Sequence, residues 1–424
     1  MKISKIKSEL SRKIGFWSIP IGLGFGVPPL IVAILVATHL FSYFSGLKSL
    51  LGNFKYLFYG CGFIMLLSLT GVFLLCYWGL HTPYHPNILK MSWAYYPALT
   101  TLCAITILSI TFLSKDSELI TFIWLFCIGS LIFCLLTVGI TLLIENRGLK
   151  LYGNVTDIRH LLTGNKKSIN TPGIANLLCL FPATFLAGLI LKPSQRPRGF
   201  WLTGIAGSLS SLAAALVIGQ RSYFAITLII SPLSVAFFLL ILRQWRPCFS
   251  IILVLVTYPT LLKLDALLGI AYLNRRPVDL NIVKDARFEM FQFWADHLIA
   301  NPLQRIEVGP PPWDSLQWFH NFFADIHRLS GFWALLTAVI LVAYIFYRVL
   351  CVISKERRIG LFLMAVAIPN FLIMNTSVVP EGERQPFLLL LAIGAISEVI
   401  LANIKLASSS EPHHERPSSS PKIS

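Results

Sequence analysis

The chain has 424 residues, a formal net charge of +16 and a mean hydropathy of +0.72; 55% of its residues are hydrophobic and only 13% charged. Soluble domains carry roughly a quarter charged residues, so a soluble fold is excluded and repeated apolar runs are read as membrane spans. The positive charge sits in short segments beside those runs, where Lys and Arg set orientation and meet anionic lipid, so no nucleic-acid partner is expected.

In chain order, residues 1–15 form a basic amphipathic segment, with Ile3, Ile6, Leu10 and Ile14 on one helical stripe among lysines, suited to an anionic membrane surface. Apolar runs then centre on residues 20–44, 54–80, 93–113, 119–145, 173–191, 199–219, 222–242, 249–272, 332–353, 359–379 and 386–405. The expected fold is an all-α polytopic membrane protein of about 11–12 transmembrane helices. It divides into a transmembrane bundle over 16–272, a periplasmic loop with amphipathic helices over 273–331, C-terminal transmembrane helices over 332–405 and a Ser/Pro-rich tail over 406–424. The eight cysteines, all in or beside apolar runs, read as small core side chains.

Orientation follows from the second half. The basic stretches "KPSQRPRG", "RQWRPC" and "SKERR" belong on the cytoplasmic face, which puts "GQRS", 273–331 and "EGERQPF" outside. Extending that parity to the start places the basic N-terminus outside as well. The conflict points to a half-hairpin at "IPIGLGFGVPP" or to a re-entrant piece hidden in 146–172.

Three distant intervals share the outer face. Arg221 opens a helix after "GQ"; Arg287 shares a helical face with Phe291, Trp294 and Leu298; and "WFHNFFADIHRLSG" places His320, Asn321, Asp325, His327 and Arg328 just before a span. A guanidinium grips phosphate bidentately, and two suit a diphosphate. His320 is the natural proton acceptor near neutral pH. Singly, each residue has a plainer use: Arg221 snorkelling or capping a helix, Arg287 pairing with Asp285 or Glu289, His320 as interfacial polarity. Asp325 with His327 is too sparse for a metal set. His327, two turns deeper than His320, is expected to matter less.

The order of these motifs, an Arg-bearing turn, then "RFEMFQFWADHLIANPL", then "HNFFADIHRLSG" before a span, resembles the O-antigen ligase and polymerase superfamily of bacterial envelope enzymes. The likeness covers about 199–353 and extends weakly to "NTPGIANLLCLFPATFLAGLIL". It implies metal-independent, cofactor-free glycosyl transfer at the periplasmic face of the bacterial inner membrane, with an undecaprenyl-diphosphate-linked glycan as donor. Arg221, Arg287 and His320 match the catalytic positions, and Asn321 completes the His-Asn pair. Arg276, Arg305 and Arg384 are expected with Asn321 among the substrate contacts. The acceptor is lipid A core for a ligase, or a second lipid-linked glycan for a polymerase; the compact outer loop favours the ligase. A transporter is the reading from another class, and the scarcity of carboxylates within the runs, Glu398 and the Lys263/Asp265 pair apart, argues against it.

Overall fold

The structure is a computed structural model that describes residues 17–26, 61–80, 86–111, 113, 115–145, 151, 154–158, 168–245, 247–249, 251, 286–306, 319–376 and 383–409. It is an all-α polytopic membrane protein. Its helices are α1 (Cys61–Leu80), α2 (Pro86–Thr111), α3 (Asp116–Glu145), α4 (Thr171–Ala187) and α5 (Phe200–Ile218), then α6, which starts as Arg221–Phe224 and ends as Ser231–Ile241. After these come α7 (Ala286–Ala300), α8 (Phe322–Ser330), α9 (Phe332–Lys355), α10 (Arg357–Met374) and α11 (Gln385–Ser409). Among the described residues, eight helices are long and apolar enough to cross a membrane. The amphipathic N-terminal stripe, the 249–272 run beyond residue 251 and most of the tail lie outside the described residues.

Side-chain contacts fix which helix ends lie together. Ser330 Oγ–H donates to the Tyr77 carbonyl at 3.0 Å, while Tyr344 Oη lies 2.8 Å from the Gly62 carbonyl, so α1 and α9 run antiparallel. The last turn of α1, Val217 near the end of α5 and the starts of α4, α6, α9 and α11 share one end, here called the His320 end. At the other, basic end, Arg358 Nη1–H donates to the Ile190 carbonyl at 3.3 Å and Arg357 Nη2–H to the Ile241 carbonyl at 3.3 Å.

The interval between α3 and α4 starts and finishes at the His320 end. Asn154–Thr156 (β1) pairs antiparallel with Ser168–Asn170 (β2), Val155 facing Ile169. The Thr156 amide donates to Thr141 Oγ1 at 3.1 Å and the Leu151 amide to the Val217 carbonyl at 3.1 Å. Both described ends of the interval therefore lie at the same end of the bundle, and most of the re-entrant piece expected in 146–172 lies outside the described residues.

Helices α4, α10 and α11 are buried almost all round, whereas Leu202, Ile205 and Leu209 leave one face of α5 bare, as lipid contact requires. Small residues allow close helix approach. The helical stretch 17–25 crosses α3 so tightly that a Cβ on Gly24 would overlap the Phe126 carbonyl, and one on Gly129 the Ile21 carbonyl. Within α6, Ala225–Ile230 widens into a π-helix just ahead of Pro232. A proline lacks an N–H and crowds the carbonyl four residues back, and the wider turn relieves both. A partly buried ion pair joins α9 to the last span, α11. Arg348 Nη2–H donates to Glu398 Oε2 at 2.6 Å, and Arg348 Nε lies 2.6 Å from Oε1. Tyr344 Oη adds a contact of 2.7 Å to Glu398 Oε1.

Among the eight cysteines, Cys103, Cys127, Cys134, Cys179 and Cys248 are buried and none is in a disulfide. They pack as the small apolar side chains expected of them.

Candidate functional site

The stretch Phe319–Gly331 folds as a tight turn followed by the nine-residue α8. Asn321 is its N-cap, with Oδ1 accepting from the Phe323 and Ala324 amides at 3.1 Å each. That cap satisfies donors that have no partner within the helix. Asn321, expected among the substrate contacts, thus uses its acceptor oxygen to start the helix. Aromatic packing seats α8: the Phe322 ring, fully buried, lies 6.4 Å from Phe73 and 5.6 Å from Phe387. Phe323 lies 6.0 Å from Phe371.

His320 sits just before this cap with φ of 54°, a left-handed conformation that costs a non-glycine residue about 1–2 kcal/mol. Its two neighbours are held by one carboxylate. The Phe319 amide donates to Asp325 Oδ1 at 2.5 Å and the Asn321 amide to Oδ2 at 3.2 Å. Asp325 is buried, so the clamp works where water competes little. Arg328 lies 5.6 Å over the Phe319 ring; burial lowers its pKa and the Asp325 charge opposes that shift. The His320 side chain is half-buried, so it remains accessible.

His327 has a different job. It is fully buried. Trp294 Nε1–H donates to its Nδ1 at 3.2 Å, which puts the ring proton on Nε2, 3.1 Å from the Pro302 carbonyl. Both nitrogens are engaged, and the imidazole pins α7 and its following turn to α8. Burial, aided by nearby His297, lowers its pKa, while the Pro302 hydrogen bond opposes the shift. On α7, Met290 and Trp294 face inward, Leu298 packs against the core and Phe291 is exposed, so the stripe expected through Arg287, Phe291, Trp294 and Leu298 is partly covered by the bundle and partly left open. Backbone places Arg287 two turns before Trp294; its side chain, like that of Arg221, lies outside the described residues, as does Arg276 entirely.

Contacts link His320 to the Arg221 turn across the bundle end. Phe322 meets Phe387 on α11. The Glu383 carboxylate, just before α11, occupies the space a Cβ on Gly173 would need. Gln220 Nε2–H donates to Thr171 Oγ1 at 2.9 Å, setting the first residue of α6 beside the start of α4. Asn170 caps α4 by accepting from the Gly173 amide at 3.1 Å. Arg305 reaches Gly331, where a Cβ would come 3.6 Å from its Nε. Arg384 stands just before α11 and is half-buried.

Beneath this rim are amides that sequence reasoning passed over. Asn176 Oδ1 and Nδ2, Asn370 Oδ1, and Gln385 Oε1 and Nε2 are buried without hydrogen-bond partners among the described residues. Asn370 Nδ2–H donates to the Pro386 carbonyl at 2.7 Å, fixing it beside Gln385. Asn176 follows Gly173 by one turn on α4, about 4.5 Å further along the axis. A buried amide lacking a partner is unfavourable by about 1–3 kcal/mol per group, which marks a place built to receive polar atoms. The available signal was polarity inside apolar runs, at "GIANLL", "IPNFL" and "RQPFL".

In comparisons with known proteins, no protein-family model and no curated protein matches the chain.

Proposed function

We propose that the chain is a membrane-embedded glycosyltransferase of the O-antigen ligase type. It moves a glycan from undecaprenyl diphosphate to a sugar hydroxyl of lipid A core, at the periplasmic face of the bacterial inner membrane. The observation that carries this reading is the His320 turn, a strained, carboxylate-clamped backbone at a helix start, with its imidazole half-exposed at a rim that also bears the Arg221 turn, Arg305 and Arg384. Strain of this kind persists only where the surroundings impose it, and it accompanies functional positions.

In the proposed reaction, the neutral His320 imidazole accepts the proton of the acceptor hydroxyl as its oxygen bonds the anomeric carbon. The bond from that carbon to the diphosphate breaks, and the leaving diphosphate takes the electron pair. Arg221 and Arg287 hold its developing charge. The unsatisfied amides of Asn176, Asn370 and Gln385 suit sugar hydroxyls, which both donate and accept. Against coupled transport, the Glu398 carboxylate in the last span is already neutralised by Arg348.

The test is a deletion strain complemented with wild-type or His320→Ala protein and read on a lipopolysaccharide gel. The deletion should leave core without attached chains while lipid-linked chains accumulate, wild type should restore attachment, and His320→Ala at equal protein level should not. Restoration by His320→Ala would overturn the reading, and core bearing a single repeat in the deletion strain would reassign the chain to polymerisation.

A further inference from the structure

At the basic end, far from His320, three short joints between apolar helices fold against one another. Residues 188–199 join α4 to α5, residues 242–245 and Pro247 follow α6, and Glu356 separates α9 from α10. Together they surround a cavity of about 600 Å³ lined by Arg196, Arg243, Arg358, Trp201, Trp245 and Gln244, with leucine and proline completing an apolar wall. Pockets of this size are typical of small-molecule sites.

Three features set it apart from an ordinary topology signal. First, the guanidiniums are brought together. Arg196 Nε–H and Nη2–H donate to the Gly188 and Leu189 carbonyls at 3.2 Å each, and Arg358 Nη1–H to the Ile190 carbonyl at 3.3 Å. These carbonyls close the turn after α4, the Gly188 oxygen also accepting from the Leu191 amide at 3.2 Å, so two arginines are fixed side by side with only partial negative charge between them. Burial, and then the neighbouring Arg358 charge, lower the Arg196 pKa. Second, no carboxylate within ion-pairing distance neutralises Arg196, Arg243 or Arg358 among the described residues; Glu398 pairs with Arg348 instead. Third, Arg243 holds φ of 56° just past the end of α6, the position where glycine normally closes a helix. A left-handed arginine is kept where glycine would relieve strain.

Trp201 and Trp245 flank the opening, 54% and 62% exposed. Indoles favour the headgroup level of a bilayer, so the opening faces lipid where headgroups lie. An anionic ligand with an apolar body fits this combination.

We propose that the cavity binds the phosphate headgroup of one anionic phospholipid in the leaflet facing the basic joints. Arg196, Arg243 and Arg358 take the phosphate oxygens, and Trp201 and Trp245 flank the glycerol and upper acyl chains. The site is separate from the proposed transfer reaction and does not depend on it.

The test is native mass spectrometry of the full chain in neutral detergent, titrated with phosphatidylglycerol or phosphatidylcholine. One phosphatidylglycerol should bind about tenfold more tightly than phosphatidylcholine, whose ammonium would sit among the guanidiniums. Arg243→Gly removes a guanidinium while relieving its backbone, so the variant should melt no lower than wild type and lose phosphatidylglycerol occupancy several-fold. Arg196→Gln should lose it too. Equal binding of the two lipids, or undiminished occupancy in Arg243→Gly, would overturn the proposal. Displacement of the lipid by millimolar inorganic phosphate would also overturn it, assigning the cavity to a free anion.

Discussion

Asp325 is the residue on which the geometry of His320 depends, and Asp325→Ala removes that dependence cleanly. The carboxylate accepts two backbone N–H groups, from Phe319 at 2.5 Å and Asn321 at 3.2 Å, in a buried position. Hydrogen bonds to a charged group contribute about 1.5–3 kcal/mol each, so the clamp supplies about 3–6 kcal/mol. Holding His320 at φ of 54° costs about 1–2 kcal/mol. The clamp therefore outweighs the strain, and without it the turn relaxes. Hydrogen–deuterium exchange on the protein in detergent should show the Phe319 and Asn321 amides exchanging about 100- to 10,000-fold faster in Asp325→Ala, at 1.4 kcal/mol per factor of ten. Glycan attachment in the complemented deletion strain should fall with it. His320→Gly is the companion variant: it relieves the strain, so it should keep the fold while losing attachment. Unchanged amide protection in Asp325→Ala, or full attachment despite lost protection, would refute the argument.

Other outcomes follow from the same geometry. The His327 pKa is lowered by burial, below an unfolded value of about 6.5. Its contribution to stability is therefore complete above that value and lost as pH falls through the folded pKa; the melting temperature should drop on acidification below about pH 6.5, and His327→Gln should flatten that limb. Arg348→Leu leaves Glu398 buried and unpaired and should lower stability by about 3–5 kcal/mol, most of it recovered in Arg348→Leu/Glu398→Leu, as chemical denaturation would report. Asn176→Leu and Gln385→Leu each remove unsatisfied buried amides. They should raise the melting temperature yet weaken glycan transfer; a rise with unchanged transfer would limit these amides to a packing role.

Composition and periodicity alone determined that this chain is a helical membrane protein, because a backbone in lipid must satisfy its own hydrogen bonds and long apolar runs cannot hide that requirement. The alternation of basic joints in the second half also predicted which helix ends lie together, and the contacts of Arg358 with Ile190 and of Arg357 with Ile241 agree with it. The short "HNFFADIHRLSG" stretch was legible as unusual, since polar residues are scarce here, but the roles within it were not. A sequence does not show that Asp325 turns back on the Phe319 and Asn321 amides, that Asn321 caps α8, or that His327 is held between Trp294 and Pro302, since each is a hydrogen bond decided by how the chain turns. For α7, periodicity shows that a face is apolar, and only the packing partner selects which part is buried: Met290 and Trp294 turn inward while Phe291 stays exposed. The amides of Asn176, Asn370 and Gln385 stood in separate runs, and the three arginines of the basic end in separate joints. Their meeting is a property of helix packing across the bundle, to which local propensity contributes nothing.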